Sequence, residues 1–243
     1  MSSEAGPEGS SLRERAAQVL GRIESAARRA RREPAEVKLV AVSKTHPASL
    51  VREAVAAGLT DFGENRVQEA EAKIEEVGRA ASGPRWHLIG GLQANKARRA
   101  ARLFDLIHSV DSAALVERLE RVCAEEGRES LEILLQVDLA GEASKGGASE
   151  SELPEVLEAL GACERVRCRG LMILPPFYED AERVRPYFQR LRSLRDEFQA
   201  RGVFGEEAGE LSMGMSHDYE TAVEEGATLV RVGTAIFGER GKG

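Results

Sequence analysis

The apolar positions of the chain switch repeatedly between two periods. Residues 37–44, Val-Lys-Leu-Val-Ala-Val-Ser-Lys, form a β-branched apolar run that stops on Ser43 and Lys44, with Pro47 close behind. A run of that length and composition predicts a buried parallel strand that turns into a helix. Ahead of it, Leu12, Ala16, Val19, Leu20 and Ile23 recur at helical spacing and predict an amphipathic helix over residues 11–32. Behind it, Leu50, Val51, Ala54 and Val55 mark a helix that Gly58 closes.

The same alternation continues to the end of the chain. Strand-like runs at 61–65, 85–90, 106–110, 131–138, 166–172, 210–212 and 228–232 each precede a helical pattern. The helices rest in turn on Val67, Ala70, Ile74 and Val77, on a start at 93–96, and on Leu115, Leu119, Val122 and Cys123. They continue with 149–161, with Val184, Tyr187, Phe188, Leu191, Leu194 and Phe198, with 216–225, and with a last turn opened by Gly233 and Thr234. Eight strand–helix units with short connections predict a parallel sheet covered by helices. Eight such units fit a single (β/α)8 TIM-like barrel, which typically runs to about 250 residues. The expected organisation is a flexible amino terminus over residues 1–10 and one barrel domain over 11–240, led by the amphipathic helix. An open doubly wound sheet is the alternative, but the G-x-G-x-x-G fingerprint of its dinucleotide-binding form is missing.

Composition narrows the partners. Hydrophobic residues make up 42% of the 243 and charged residues 31%, the balance of a globular chain. A net charge of −7 weighs against nucleic acid and anionic membranes, and no apolar run approaches the length of about 20 residues that a membrane span needs. The basic stretches, Arg28, Arg29, Arg31 and Arg32 at the end of the first helix and Lys96, Arg98 and Arg99, lack aromatic interleaving. The first group is expected to lie in solvent and to complement the helix dipole. Cys123, Cys163 and Cys168 form no disulfide or zinc pattern, which suits a reducing cytoplasm. His46, His87, His108 and His217 come from different strand ends without partner carboxylates, so no metal site is expected.

In a barrel the carboxyl ends of all strands open on one mouth. The residues expected there are Lys44, Asn65, His87 with Gly90, Ser109, Met172, Ser212 with Ser216, and Arg231 with Gly233 and Thr234. Carboxylates are nearly absent from this set, which argues against glycosidase pairs and hard-metal sites. Residues 211–216 and 230–234 place small residues and backbone N–H groups before helix starts, as phosphate sites after strands seven and eight do. Taken alone they could be capping residues, and Lys44 a polar stop at a strand end. Together, a desolvated lysine with an anion anchor on the opposite wall predicts a phosphorylated aldehyde bound as an imine. Pyridoxal 5′-phosphate (PLP) leads the candidates, and a sugar-phosphate aldolase is a further reading.

Several stretches carry a resemblance. They are Ala41-Val42-Ser43-Lys44, Phe62-Gly63-Glu64-Asn65 with Val67-Gln68-Glu69, Trp86-His87-Leu88-Ile89-Gly90, and Leu92-Gln93 with Asn95-Lys96. Ser144-Lys145-x-Gly147, Gly170-Leu171-Met172, and residues 211–216 and 230–238 complete them. From about residue 12 to 240 the chain resembles the pyridoxal phosphate homeostasis protein family, a relative of the amino-terminal domain of alanine racemase. The resemblance implies a barrel without an additional β-domain and PLP held as an internal aldimine on the Schiff-base lysine Lys44. It implies that Gly233 and Thr234, with Ser212 or Ser216, hold the phosphate. Arg231 is implied to face the pyridine nitrogen, and Asn65, His87 and Met213 to line the pocket. Gly91 and His217 depart slightly from the family pattern.

An arginine cannot take a proton from the ring nitrogen, so PLP beside Arg231 is expected to be a weak electron sink. Racemisation needs a base on each face, and barrel racemases draw the second from a further domain for which this length leaves no room. The expected function is therefore a PLP carrier in vitamin B6 and amino-acid homeostasis, with no catalytic residues of its own. It is expected to be a cytoplasmic monomer that exchanges cofactor with small amines, amino acids or PLP-dependent apo-enzymes. The alternative is an amino-acid racemase with His87 or Tyr178 as the second base.

Overall fold

The computed structural model describes residues 10–79, 83–142 and 145–238. The segment 1–9, Ser144 and residues 239–240 of the sequence reading lie outside the described residues. Eight strands alternate with helices: β1 (Lys38–Val42), β2 (Asp61–Glu64), β3 (Arg85–Leu88) and β4 (Leu106–Val110), then β5 (Leu131–Val137), β6 (Val166–Ile173), β7 (Glu210–Met215) and β8 (Leu229–Val232). Each pairs in parallel with the next, and β8 closes on β1 through the register Lys38↔Leu229 to Ala41↔Val232. The expected (β/α)8 barrel is the observed fold.

Nine helices among the described residues surround it: α1 (Leu12–Arg29), α2 (Ala48–Ala56), α3 (Val67–Val77), α4 (Ala97–Leu103) and α5 (Ala113–Glu126), then α6 (Leu153–Gly161), α7 (Arg185–Ala200), α8 (Tyr219–Glu224) and α9 (Thr234–Phe237). Ser11 and Glu14 start α1 as a reciprocal capping box, so the predicted first helix begins where expected and stops three residues early. Residues 149–152, expected to be helical, instead form a turn in which Glu152 accepts from Ser149, and Pro154 then fits the first turn of α6.

The strands are sealed on both faces. Outward residues such as Phe62, Trp86 and Leu211 pack against the helices in the main core, while Val40, Leu106, Leu134, Met172 and Leu229 plug the barrel interior. The arginines ending α1 do not simply point into solvent. Arg29 pairs with Glu220 and Glu224 of α8, and Arg32 donates to the carbonyls of Val223 and Ala227. They fasten the leading helix to the barrel wall, although exposed pairs of this kind contribute little each.

Gly170 marks a constraint on closure. It has φ +154, beside a register shift between β5 and β6, and a Cβ there would lie 2.0 Å from the Glu210 carbonyl oxygen. Backbone on both sides cannot yield without parting β6 from β7. Gly170→Ala is expected to destabilise the protein by about 3 kcal/mol, read as a lower urea midpoint at unchanged slope; an unchanged midpoint would refute the constraint.

Candidate functional site

Lys44 lies half-buried on the turn that leaves β1. The residue after it, Thr45, is held at φ +67, which is costly for a β-branched side chain. A buried polar cluster over-determines this turn. The Lys73 ammonium donates to the Ser43 carbonyl at 2.6 Å, to Glu64 Oε1 at 2.6 Å and to Glu69 Oε1 at 2.8 Å. The Ser43 hydroxyl donates to the same Glu64 oxygen at 2.6 Å, and the Thr45 N–H donates to Glu69 Oε1. Glu69 and Lys73 are one turn apart on α3, so a single helix grips the residues on both sides of Lys44. Burial pushes the Glu64 carboxyl above its ordinary range, against the opposing pull of Lys73 and Ser43. Burial also pushes on Glu69, but the bonds from Lys73 and Thr45 outweigh it and hold that carboxyl below its ordinary range.

Sequence reasoning missed this cluster. Glu64 and Glu69 stood in a stretch that carried the resemblance, but no role was read from them. The available signal for Lys73 was its place beside Ala70 and Ile74 on the buried face of α3.

The residues expected to hold an anion at the ends of β7 and β8 lie beside the Lys44 turn. Because β8 pairs with β1, Gly233 packs on the end of β1, and a Cβ there would meet the Val42 carbonyl oxygen at 3.1 Å. Lys44 and the Gly233–Thr234 turn are thus neighbours, where the sequence reading put them on opposite walls. The Gly233 N–H donates to Ser216 Oγ at 3.3 Å, which brings the end of β7 to the same spot. His46 stacks on Phe237 of α9 with ring centroids 5.2 Å apart, joining the Lys44 loop to the last helix. Asn65 follows β2, and its carbonyl sits where a Cβ on Gly90 would be, 2.4 Å away.

Arg231 occupies the barrel interior and is 3% exposed. Its guanidinium donates to Ser212 Oγ at 2.5 Å and to the Ile173 carbonyl at 2.8 Å. Burial lowers its pKa to about 10, with Asp218 opposing, so it remains a cation and a donor at neutral pH.

Three expected pocket residues lie elsewhere. Met213 is fully buried in the core between strands and helices, because strand alternation turns it away from Ser212. Ser212 lies inside the barrel, where its hydroxyl is shared by Arg231 and His108, because β7 runs three residues past the predicted strand end. Of the two serines, Ser216 is the one beside Gly233 and Thr234. His87 sits low in the barrel, bonded to Asp61 at 3.0 Å and to His108 at 2.9 Å, because β3 carries it one layer below the mouth.

Removing Lys73 strands a buried carboxylate. Lys73→Met is expected to cost about 3–5 kcal/mol, and adding Glu64→Gln should restore a large part of it in chemical denaturation. A loss below about 1 kcal/mol would contradict a clamp of this kind.

Residues 19–241 match the model of the alanine racemase amino-terminal domain. A pyridoxal phosphate homeostasis protein of Pseudomonas aeruginosa is 45% identical, over 96% of this chain and 98% of its own. The namesake protein of Aquifex aeolicus is 43% identical, over 93% and 97%. Among solved structures, PipY of Synechococcus elongatus with PLP bound superposes with a TM-score of 0.81 at 44% identity, over 94% of this chain and all of that one. With full-length identity of this order and the expected barrel closed strand by strand, the chain belongs to the pyridoxal phosphate homeostasis proteins, within the alanine racemase amino-terminal domain family.

Proposed function

We propose that this protein binds PLP in the barrel mouth, joined covalently to Lys44, and serves PLP homeostasis by holding and handing on the cofactor. The observation that carries the reading is the closure of β8 on β1, which sets the Lys44 turn beside the Gly233–Ser216 contact. The donor set suits the group: one primary amine, a hydroxyl and backbone N–H groups at a helix start for a phosphate, and a buried guanidinium for a ring nitrogen. PLP supplies an aldehyde that condenses with primary amines.

In this reading the chain's own groups divide the work. The Lys73 clamp fixes the turn that presents Lys44 Nζ. Ser216, Gly233 and Thr234 hold the phosphate, and Asn65 borders the ring. Arg231 donates to the ring nitrogen and supplies no proton acceptor there, which disfavours carbanion chemistry. The bases on which a racemase reading depends are engaged elsewhere: His87 with Asp61 and His108, and the Tyr178 hydroxyl with that of Tyr187 at 3.3 Å. The names of the relatives point the same way, to homeostasis. Receivers of the cofactor would be small amines, amino acids or PLP-dependent apo-enzymes. Among the described residues no helix is long and apolar enough to cross a membrane.

The test is spectroscopic. Protein mixed with PLP and freed of excess should keep the visible absorbance band of lysine-bound cofactor, and Lys44→Ala should lose it while keeping its circular dichroism. A band of equal size in the variant overturns the reading.

A further inference from the structure

A line of side chains crosses the barrel interior from its amino-terminal end to Arg231. Asp61 Oδ1 lies 3.0 Å from His87 Nε2, His87 Nδ1 lies 2.9 Å from His108 Nε2, and His108 Nδ1 lies 2.8 Å from Ser212 Oγ. Arg231 Nη1 then reaches Ser212 at 2.5 Å. His87, His108, Ser212 and Arg231 are each at most 3% exposed. The members come from β2, β3, β4, β7 and β8, so this line braces five of the eight strands.

The protons in this line can be assigned by counting donors. Arg231 has only donors, so Ser212 Oγ accepts from it and keeps its own hydrogen to donate. Burial above all, with the nearby charge of Arg231, holds His108 well below the ordinary imidazole value, so it is neutral with one N–H. Burial also pushes on Asp61, but the bonds from His87 and Thr60 outweigh it and keep the carboxyl below its usual range, as an acceptor only. His87 Nε2 must therefore donate to Asp61. Ser212 gives its hydrogen to His108 Nδ1, so the one N–H of His108 lies on Nε2 and donates to His87 Nδ1. Every hydrogen bond then runs one way, from the cation Arg231 to the anion Asp61.

Around its lower end the line meets a mixed field. The small cleft beside His87 is edged by Lys38, Arg85 and Arg169 and by Glu132 and Glu210. The cations and carboxylates largely offset one another, which leaves the direct bond to Asp61 to orient the imidazole.

We propose that Asp61, His87 and His108 are positioning residues that act through Ser212 to fix the Arg231 guanidinium against its ligand's ring nitrogen. The inference rests on Arg231 being that nitrogen's partner. It gives the amino-terminal end of the barrel, ordinarily the stability end of this fold, a part in the site at the mouth. Were the line to reverse, His108 would donate to Ser212, compete with Arg231 for the same oxygen, and loosen the guanidinium.

Two measurements test this. In the PLP-free protein labelled with ¹⁵N-histidine, long-range proton–nitrogen correlation should find His87 and His108 both carrying their proton on Nε2. In the protein loaded with ring-¹⁵N PLP, Asp61→Asn should shift the pyridine nitrogen resonance while the visible band persists. His87→Gln, one link further in, should shift it in the same sense, which covers the case of an Asp61 variant that does not fold. A proton on His108 Nδ1 in the wild type, or a pyridine resonance unmoved by either folded variant, overturns the proposal. A wild-type protein without a visible band refutes PLP at Lys44 instead, and the histidine tautomers in the PLP-free protein still decide whether the line exists.

Discussion

The Lys73 ammonium joins segments that must meet for the barrel mouth to have its shape. It is buried against the Ser43 carbonyl, the fully buried Glu64 and the helix-borne Glu69. An ion pair taken out of water recovers its desolvation cost only when the geometry is good and further hydrogen bonds satisfy the remaining oxygens. Here the Ser43 hydroxyl and the Thr45 N–H reinforce the two oxygens that Lys73 already holds, while Glu64 Oε2 is buried without a partner among the described residues. The benefit is geometric: Thr45, next to Lys44, is kept in a conformation it would not choose.

Closure of the sheet does the rest of the assembly. Parallel pairing of β8 with β1 puts the first and last strand ends side by side, and Gly233 admits the contact because a side chain there would press on Val42. Below this contact the interior is divided. One part is filled by Val40, Leu106, Leu134, Met172 and Leu229, and the other by the polar line from Asp61 to Arg231. The apolar plug excludes water from the polar line, which strengthens each of its hydrogen bonds and raises the cost of leaving one unmade.

The strands were legible because β-branched runs bounded by turn residues admit few other readings, and eight of them in this length leave little but a barrel. Lys44, Asn65, Ser216, Arg231, Gly233 and Thr234 could be named because they end or follow such runs. Less visible was the consequence of closure, a long-range pairing that no local pattern encodes, so Lys44 and Gly233 were set apart when they are adjacent. Depth was also hidden. His87, Ser212 and Met213 all lie near strand ends in the sequence, but register, the length of β7 and the two-residue alternation send them to the lower interior, the axis and the outer core. Lys73 was overlooked because a lysine on an amphipathic helix ordinarily reaches solvent, and only the pair of carboxylates facing it keeps this one inside.

The proposed function requires that one particular amine in this chain holds PLP. Borohydride reduction of the loaded protein, followed by proteolysis and mass mapping of the lysines, addresses it directly. A pyridoxyl adduct is expected on Lys44 at close to one per chain, with Lys73 unmodified inside its clamp. An adduct spread over surface lysines, or centred on any residue other than Lys44, would contradict it.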